Sequence, residues 1–467
     1  GGTATLSADV DVTTFTVGNT VANLAFTGNG SSVTNAVSFA NDGTLTLGTS
    51  GGTQTYNGGL TTTSVGSTVT LNGSIKTSSD AIVLGAVTLA NPVTIDTDAT
   101  DNNGDITIGT VTGSSQNFAM ETGDNIAGAD ITASGAISGV ATLMLDNVGG
   151  TATLSGDVDI TTFDVDNTVA NVAFTGNGSS VTNSFTPAND GTFVFGASSG
   201  TQTYNGGLTT TSVGSTVTLN GTIATSNDAV VFGAVTLGSA VTIDTNASSN
   251  AADITIAAIT GGSNNLTLTT GDNISGADIT ASGAIASLGN LTLADVGGTA
   301  TFSANVAAAA LSADSTVANI TFTGGTNTFS AASTLANDGT LTFGDATGDS
   351  FTFNGGLTTS SVGSTVTLNT SISSSNDALT FGAITLGNNV TIDTNATDTT
   401  GDITLGAVTG GSNTLTLTTE NNISNADITA SGAISGVTTL TLASVGGTAT
   451  LSGDVDVTTL SVDNTVA

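Results

Sequence analysis

The residues best suited to chemistry are four aspartates in the stretch TIDTDATDNNGDI: Asp96, Asp98, Asp101 and Asp105. Carboxylate, amide and backbone oxygens gathered on one turn are hard ligands of the kind Ca2+ takes. The spacing matches neither the D-x-[DN]-x-[DN]-G loop nor the glycine-rich nonapeptide of Ca2+-binding β-helices. Equivalent loops farther along keep the outer pair as Asp244 and Asp253, and as Asp393 and Asp402. Their inner positions become Asn246 and Ser249, or Asn395 and Asp398. Two readings are open: a Ca2+ site, or aspartates that form turns by bonding their own backbone.

Other chemistry is limited by what is absent. With no histidine and no cysteine, neither a Ser-His-Asp nor a Cys-His arrangement can be built. Lys76 is the single basic side chain, so the arginine or lysine base of a β-helical polysaccharide lyase is also missing. A carboxylate pair for glycoside hydrolysis is what remains. Such a pair needs one carboxyl set apart by its surroundings, and repeated loops do not set one apart. The chain is therefore expected not to be an enzyme and to require no cofactor beyond Ca2+, should the loop hold it.

Thr-x-Thr pairs recur at Thr44 and Thr46, Thr68 and Thr70, and Thr216 and Thr218. A flat stack of such pairs resembles an ice-binding face. The plainer reading is that threonine, β-branched and tolerant of water, fills the wet positions of strands. Stretches such as VTIDT and FVFGA are expected to interrupt any continuous rank. Sequons at Asn29, Asn265 and Asn422 make glycosylation possible.

What must position these residues is a repeat. Gly-Gly-Thr-Ala-Thr opens at Gly1, Gly149, Gly297 and Gly446, spacings of 148, 148 and 149 residues. The chain thus divides into 1–148, 149–296, 297–445 and the start of a fourth copy at 446–467. The extra residue of the third copy falls within 345–353, in the turn GDATGDS, where an insertion leaves flanking strands in phase. Phe26, Phe174 and Phe322 recur at the same place in each copy.

Within the second copy, alternating segments begin at Asn171, Phe193, Thr216, Val241, Leu266 and Leu291. In TVTL at 216–219, valine and leucine fall on one face and threonine on the other, the period of a half-buried strand. Asn-Gly and Asn-Asp-Gly between segments supply sharp corners. Six segments imply six coils of about 25 residues each, about 19 coils in all. With strands stacked about 4.8 Å apart, that is one continuous rod of about 90 Å. The fold expected is an all-β, right-handed parallel β-helix. The nearest candidate for a helix is AAAA at 307–310.

The balance of 36 acidic residues against one basic residue gives a formal charge of −35. Phosphate binding needs clustered cations, so nucleic acid is excluded and an anionic membrane surface disfavoured. No apolar run of about 18 residues is available to span a bilayer. Gly1 opens the chain without an initiator methionine or signal pattern, and both ends halt in repeat sequence. Further repeats, or copies stacked end to end, are the expected partners, with surface glycans a further possibility.

The centre of the coil LTLTTGDNISGADITASGAIASLGN at 266–290 has close copies at 122–138 and 419–435. With them it resembles coils of filamentous-haemagglutinin-like adhesins and other repetitive bacterial surface proteins. The resemblance implies a secreted, extracellular or cell-surface chain serving adhesion, matrix or sheath. The amino-terminal secretion domain of such adhesins is not part of the resemblance.

Overall fold

A computed structural model of the chain describes residues 2–463 and 466, apart from 124, 125, 272, 273, 421 and 422. The fold is an all-β parallel solenoid of about 21 turns with about 22 residues per turn. Among the described residues there is no helix, and the paired strands run parallel. The chain forms two compact units, Gly1–Ser226 and Asn227–Ala467. The division falls inside the second long repeat.

Each turn has three legs. In one turn of the first unit, Val87–Asp96 carries two legs with a register shift between Leu89 and Val93, and Ile106–Ile108 is the third. Stacked partners in the first leg are Leu24, Leu45, Val69, Val87, Val111, Ile137 and Val158. Their spacing runs from 18 residues, Val69 to Val87, to 26 residues, Val111 to Ile137. The turn is therefore shorter and less regular than the expected coil of about 25 residues. The reason lies in which strands mark the coil. The copies of the segment openers in the first repeat sit on two different columns: Leu24, Leu45 and Val69 on the first leg, Val93, Phe118 and Leu143 on the second. Counting openers thus skips part of a turn.

That skipped part has a consequence for the long repeat. From Thr3–Leu6, six stacked steps along one column lead to Ile137; its second copy, Thr151–Leu154, lies two legs beyond, on the column of Val37, Leu60, Ile82, Ile106 and Ile131. A long repeat is therefore six and two-thirds turns, not six. The second unit repeats the pattern by itself. Six steps from Thr299–Phe302 reach Ile434, whereas the next copy, Ala449–Leu451, stacks on Ile428 in another column. Within each unit, then, equal sequence recurs a third of a turn out of phase.

The interior follows from period two. Val217 and Leu219 are buried while Thr218 between them points out. Phe26, Phe174 and Phe322 are fully buried, and rings stack along the column, with Phe302 4.9 Å from Phe322 and Phe322 6.0 Å from Phe343. AAAA at 307–310 lies inside the strand Val306–Ala313, because stacked neighbours on both sides already pair its backbone. The inserted residue of the third copy sits between Leu341–Phe343 and Ser350–Phe353, where the Asp349 carboxylate accepts from the backbone N–H groups of Asp345 and Ala346. Gly214 marks a corner where no side chain fits: an added Cβ would strike the backbone of Asp190 one coil below.

Candidate functional surface

The acidic loop is built from its base. Thr97 faces the interior and donates its hydroxyl hydrogen to the carbonyl of Gly104 at 2.6 Å, closing the loop that carries Asp98 and Asp101. Thr245 and Thr394 close the sister loops in the same way, onto Ala252 and Gly401. On that base the four aspartates do separate work. Asp96 accepts from Lys76 Nζ at 2.6 Å through Oδ2 and from the Asp98 backbone N–H at 2.8 Å through Oδ1. Asp98 takes φ 44°, the left-handed conformation that the corner demands. Asp101 accepts from the Asn103 N–H and from the Ser79 hydroxyl; the Asn103 bond leads in holding its carboxyl below the usual range.

Asp105 bonds neither its own turn nor the other three. Its Oδ1 accepts from the N–H of Asp130 one coil on, at 2.9 Å, and Asp130 in turn accepts from the Thr151 N–H at 2.7 Å. The outer aspartates of the sister loops match: Asp253 accepts from Asp278, and Asp402 from Asp427. Asn23, Asn171 and Asn319 accept likewise from Thr44, Thr192 and Thr340. The four candidates are thus near one another in the chain but face different protein donors. Among the described residues, no group of three or more His, Cys, Asp or Glu side chains is arranged to hold a metal ion.

Charge is unevenly matched along this column. Asp96 stacks on Glu121, and Glu121 on Asp146, while Lys76 reaches only the first. Burial, and then the carboxylates of Asp96 and Asp146, push the Glu121 carboxyl above its ordinary value. Asp393, the third-repeat counterpart of Asp96, is pushed up chiefly by burial as well. The pair on Lys76 is a feature of the first copy alone, since Ala224 and Ser373 occupy the equivalent positions.

Threonine behaves differently from the sequence expectation. In the second unit an unbroken outward column runs Thr255, Thr280, Thr301, Thr321, Thr342, Thr367, Thr385, Thr409. A second hydroxyl column, on another leg, runs from Thr242 through Thr267, Thr292, Ser312, Thr334, Thr358, Thr380 and Thr404 to Thr429 and Thr450. VTIDT does not interrupt the first column because its threonine lies on another leg: Thr242 belongs to the second column, and Thr391 stacks on Thr416. The interruption is real in the first unit, where Ala173 and Val194 follow Thr153.

Polar side chains inside the column escaped sequence reasoning altogether. Gln54 and Gln202 are buried; each Nε2 donates to the carbonyl of a stacked phenylalanine, Phe26 or Phe174, at 2.8 Å. Tyr56 and Tyr204 donate back to the glutamine Oε1 atoms, and complete burial raises both phenols far above their usual range. Alternation in TQTY was the available signal, because it places glutamine and tyrosine on one face.

Asn29 and Asn265 are exposed, and Asn422 lies outside the described residues. Among the described residues no helix is long and apolar enough to cross a membrane. Comparison with protein-family profiles, with curated proteins and with solved structures finds no match to this chain.

Proposed function

We propose that the chain is the structural repeat region of a secreted bacterial cell-surface protein, an adhesin stalk or a component of an extracellular fibre, matrix or sheath. In this reading it catalyses nothing and needs no cofactor. The observation that carries it is mechanical: within each unit, turn is tied to turn by parallel backbone pairing on three legs, with a largely apolar column inside. Pulling along the stack loads these bonds coil by coil. An exterior of threonine, serine and aspartate keeps the surface wet, and a charge of −35 holds neighbours apart at low salt. Secretion and a bacterial source rest on the coil resemblance alone. Single-molecule stretching tests the mechanical role, with extension expected in coil-sized steps of about 22 residues. Release of either unit in one low-force event would refute it. Surface labelling of cells that express the chain tests its location.

One observation favours a second reading, a binding module with a repeated face. The threonine columns of the second unit offer hydroxyl and methyl groups at one strand spacing, about 4.8 Å. Ice is the ligand such a face would suit, and inhibition of ice recrystallisation by the intact chain is its assay. Replacing Thr342 and Thr367 with leucine would abolish that inhibition if the column is responsible.

A further inference from the structure

Asn-Gly pairs punctuate the chain, and the fold treats them differently. Asn72 and Asn220 lie inside strands, where each side-chain amide donates to the carbonyl of a stacked residue, Leu47 or Phe195. Asn103 precedes Gly104, which is buried with its carbonyl held by the Thr97 hydroxyl. Asn29 and Asn177 are exposed, but the N–H of the following glycine is taken: Gly30 donates to Asp9 Oδ1 at 2.7 Å and Gly178 to Asp157 Oδ1 at 2.8 Å. Asn57, Asn205 and Asn354 recur at one corner of each long repeat, in a turn closed by the bond from Gly59 to Tyr56, Gly207 to Tyr204 or Gly356 to Phe353. Such a turn engages the N–H of its fourth residue and leaves that of its third, here Gly58, Gly206 or Gly355, unused. Among the described residues nothing accepts from these three N–H groups, and nothing bonds the three asparagine side chains. Gly58 and Asn354 line open clefts, so water reaches the turn.

That difference decides a reaction. An asparagine loses its amide when the next backbone nitrogen, after yielding its proton to hydroxide, bonds to the side-chain Cγ. The Cγ–N bond of the amide breaks, ammonia leaves with a proton taken from water, and a five-membered imide remains. Water then adds to either imide carbonyl and opens the ring to aspartate or isoaspartate. Glycine in second place favours closure, because no Cβ hinders the backbone rotation it needs. A carboxylate on the glycine N–H opposes closure twice: its charge makes the proton harder to remove, and its hydrogen bond must break before the nitrogen can turn.

We propose that Asn57, Asn205 and Asn354 are sites of spontaneous deamidation, one in each long repeat, whereas Asp9 and Asp157 hold Asn29 and Asn177 unreactive. Exposure alone would rank them otherwise, since Asn29 and Asn177 are exposed and Asn57 and Asn205 half-buried. The corner has no slack for the product. A Cβ added at Gly58, Gly206 or Gly355 would lie 2.5, 2.4 or 2.3 Å from the backbone one coil earlier. Isoaspartate lengthens the main chain by a methylene at that corner, so each conversion loosens the stack as well as adding a negative charge. This proposal is independent of the structural role: an unreactive solenoid would still carry tension.

The test is incubation of the full chain at mildly alkaline pH, with pepsin digestion and mass spectrometry of the peptides at intervals. In the folded chain Asn57, Asn205 and Asn354 should convert about tenfold faster than Asn29 and Asn177, the order set by one hydrogen bond to a charged group. In denaturant all five should convert alike. Asp9→Ala and Asp157→Ala should bring Asn29 and Asn177 up to the faster rate, with the melting curve unchanged. Aged chain should melt lower than fresh chain, whereas Asn57→Ser/Asn205→Ser/Asn354→Ser should keep its melting temperature. The proposal is overturned if the three corner asparagines retain their amides, or if Asn29 and Asn177 convert as fast in the folded chain. It is equally overturned if the difference persists in denaturant, or if Asp9→Ala and Asp157→Ala leave the rates as they were.

Discussion

Asp96 is held from two sides, by the Lys76 ammonium at 2.6 Å and by its own turn, with 11% of its side chain exposed. Lys76 is 43% exposed, so most of the pair's Coulomb energy is screened. Lys76→Met should therefore cost about 1 kcal/mol, less than the loss of a fully buried pair, and Lys76→Met/Asp96→Asn should recover part of it in thermal melts. The hydrogen bond to Asp96 raises the Lys76 pKa in the fold. Its stabilisation is present below the ordinary lysine value and is lost as pH rises through the folded one. Glu121 has the same sign for a different reason. Its folded pKa is also raised, so protonated Glu121 favours the fold at low pH and that benefit disappears as pH rises above the ordinary glutamate value. Glu121→Gln should raise the melting temperature at neutral pH and flatten its decline across that window. The aspartates were legible as a cluster but not in their bonding. The partner of Asp105 is the N–H of Asp130, 25 residues away, and a sequence read as local turns cannot anticipate a donor on the next coil.

At the scale of the strand, the alternation in TVTL announced the face that is buried, because a pleated strand offers only two sides. The same period in TQTY puts Gln202 and Tyr204 inside, against their polarity, which the sequence expectation did not include. The third long repeat carries Phe351 and Phe353 at the same positions, so the coil has a natural apolar solution. Tyr204→Phe alone takes away the donor that satisfies Gln202 Oε1 and should cost about 1–3 kcal/mol. Adding Gln202→Phe should return much of that loss, as measured by denaturant unfolding. Coil length was less legible than face. Turns of unequal length separate the legs, and strands such as Val87–Asp96 carry two legs in one segment, with only Ala90, Asn91 and Pro92 at the corner between the buried pairs Val87/Leu89 and Val93/Ile95. The 25-residue spacing seen in sequence is genuine on the second leg, from Val93 to Phe118 to Leu143, and fails on the first.

At the scale of the molecule, a repeat of six and two-thirds turns means that, within each unit, a surface feature carried once per long repeat does not line up with its next copy. In a longer array of such repeats, a feature would return to its starting side at every third copy. Sequence spacing alone hides this, since 148 residues divide into coils of either about 25 or about 22 residues with similar ease. The chain has no cysteine, so introduced pairs report on register without background. In the first unit Thr153 stacks on Thr132, whereas Ser138 belongs to the column that begins at Thr3–Leu6. The most direct measurement is disulfide formation in Thr132→Cys/Thr153→Cys against Ser138→Cys/Thr153→Cys under mild oxidation. Adjacent parallel strands bring Cα atoms within the roughly 4.4–6.8 Å that a disulfide spans, so the first pair should close readily and the second should stay reduced. Closure of the second pair in place of the first would contradict the two-thirds phase, and closure of neither would contradict parallel stacking itself.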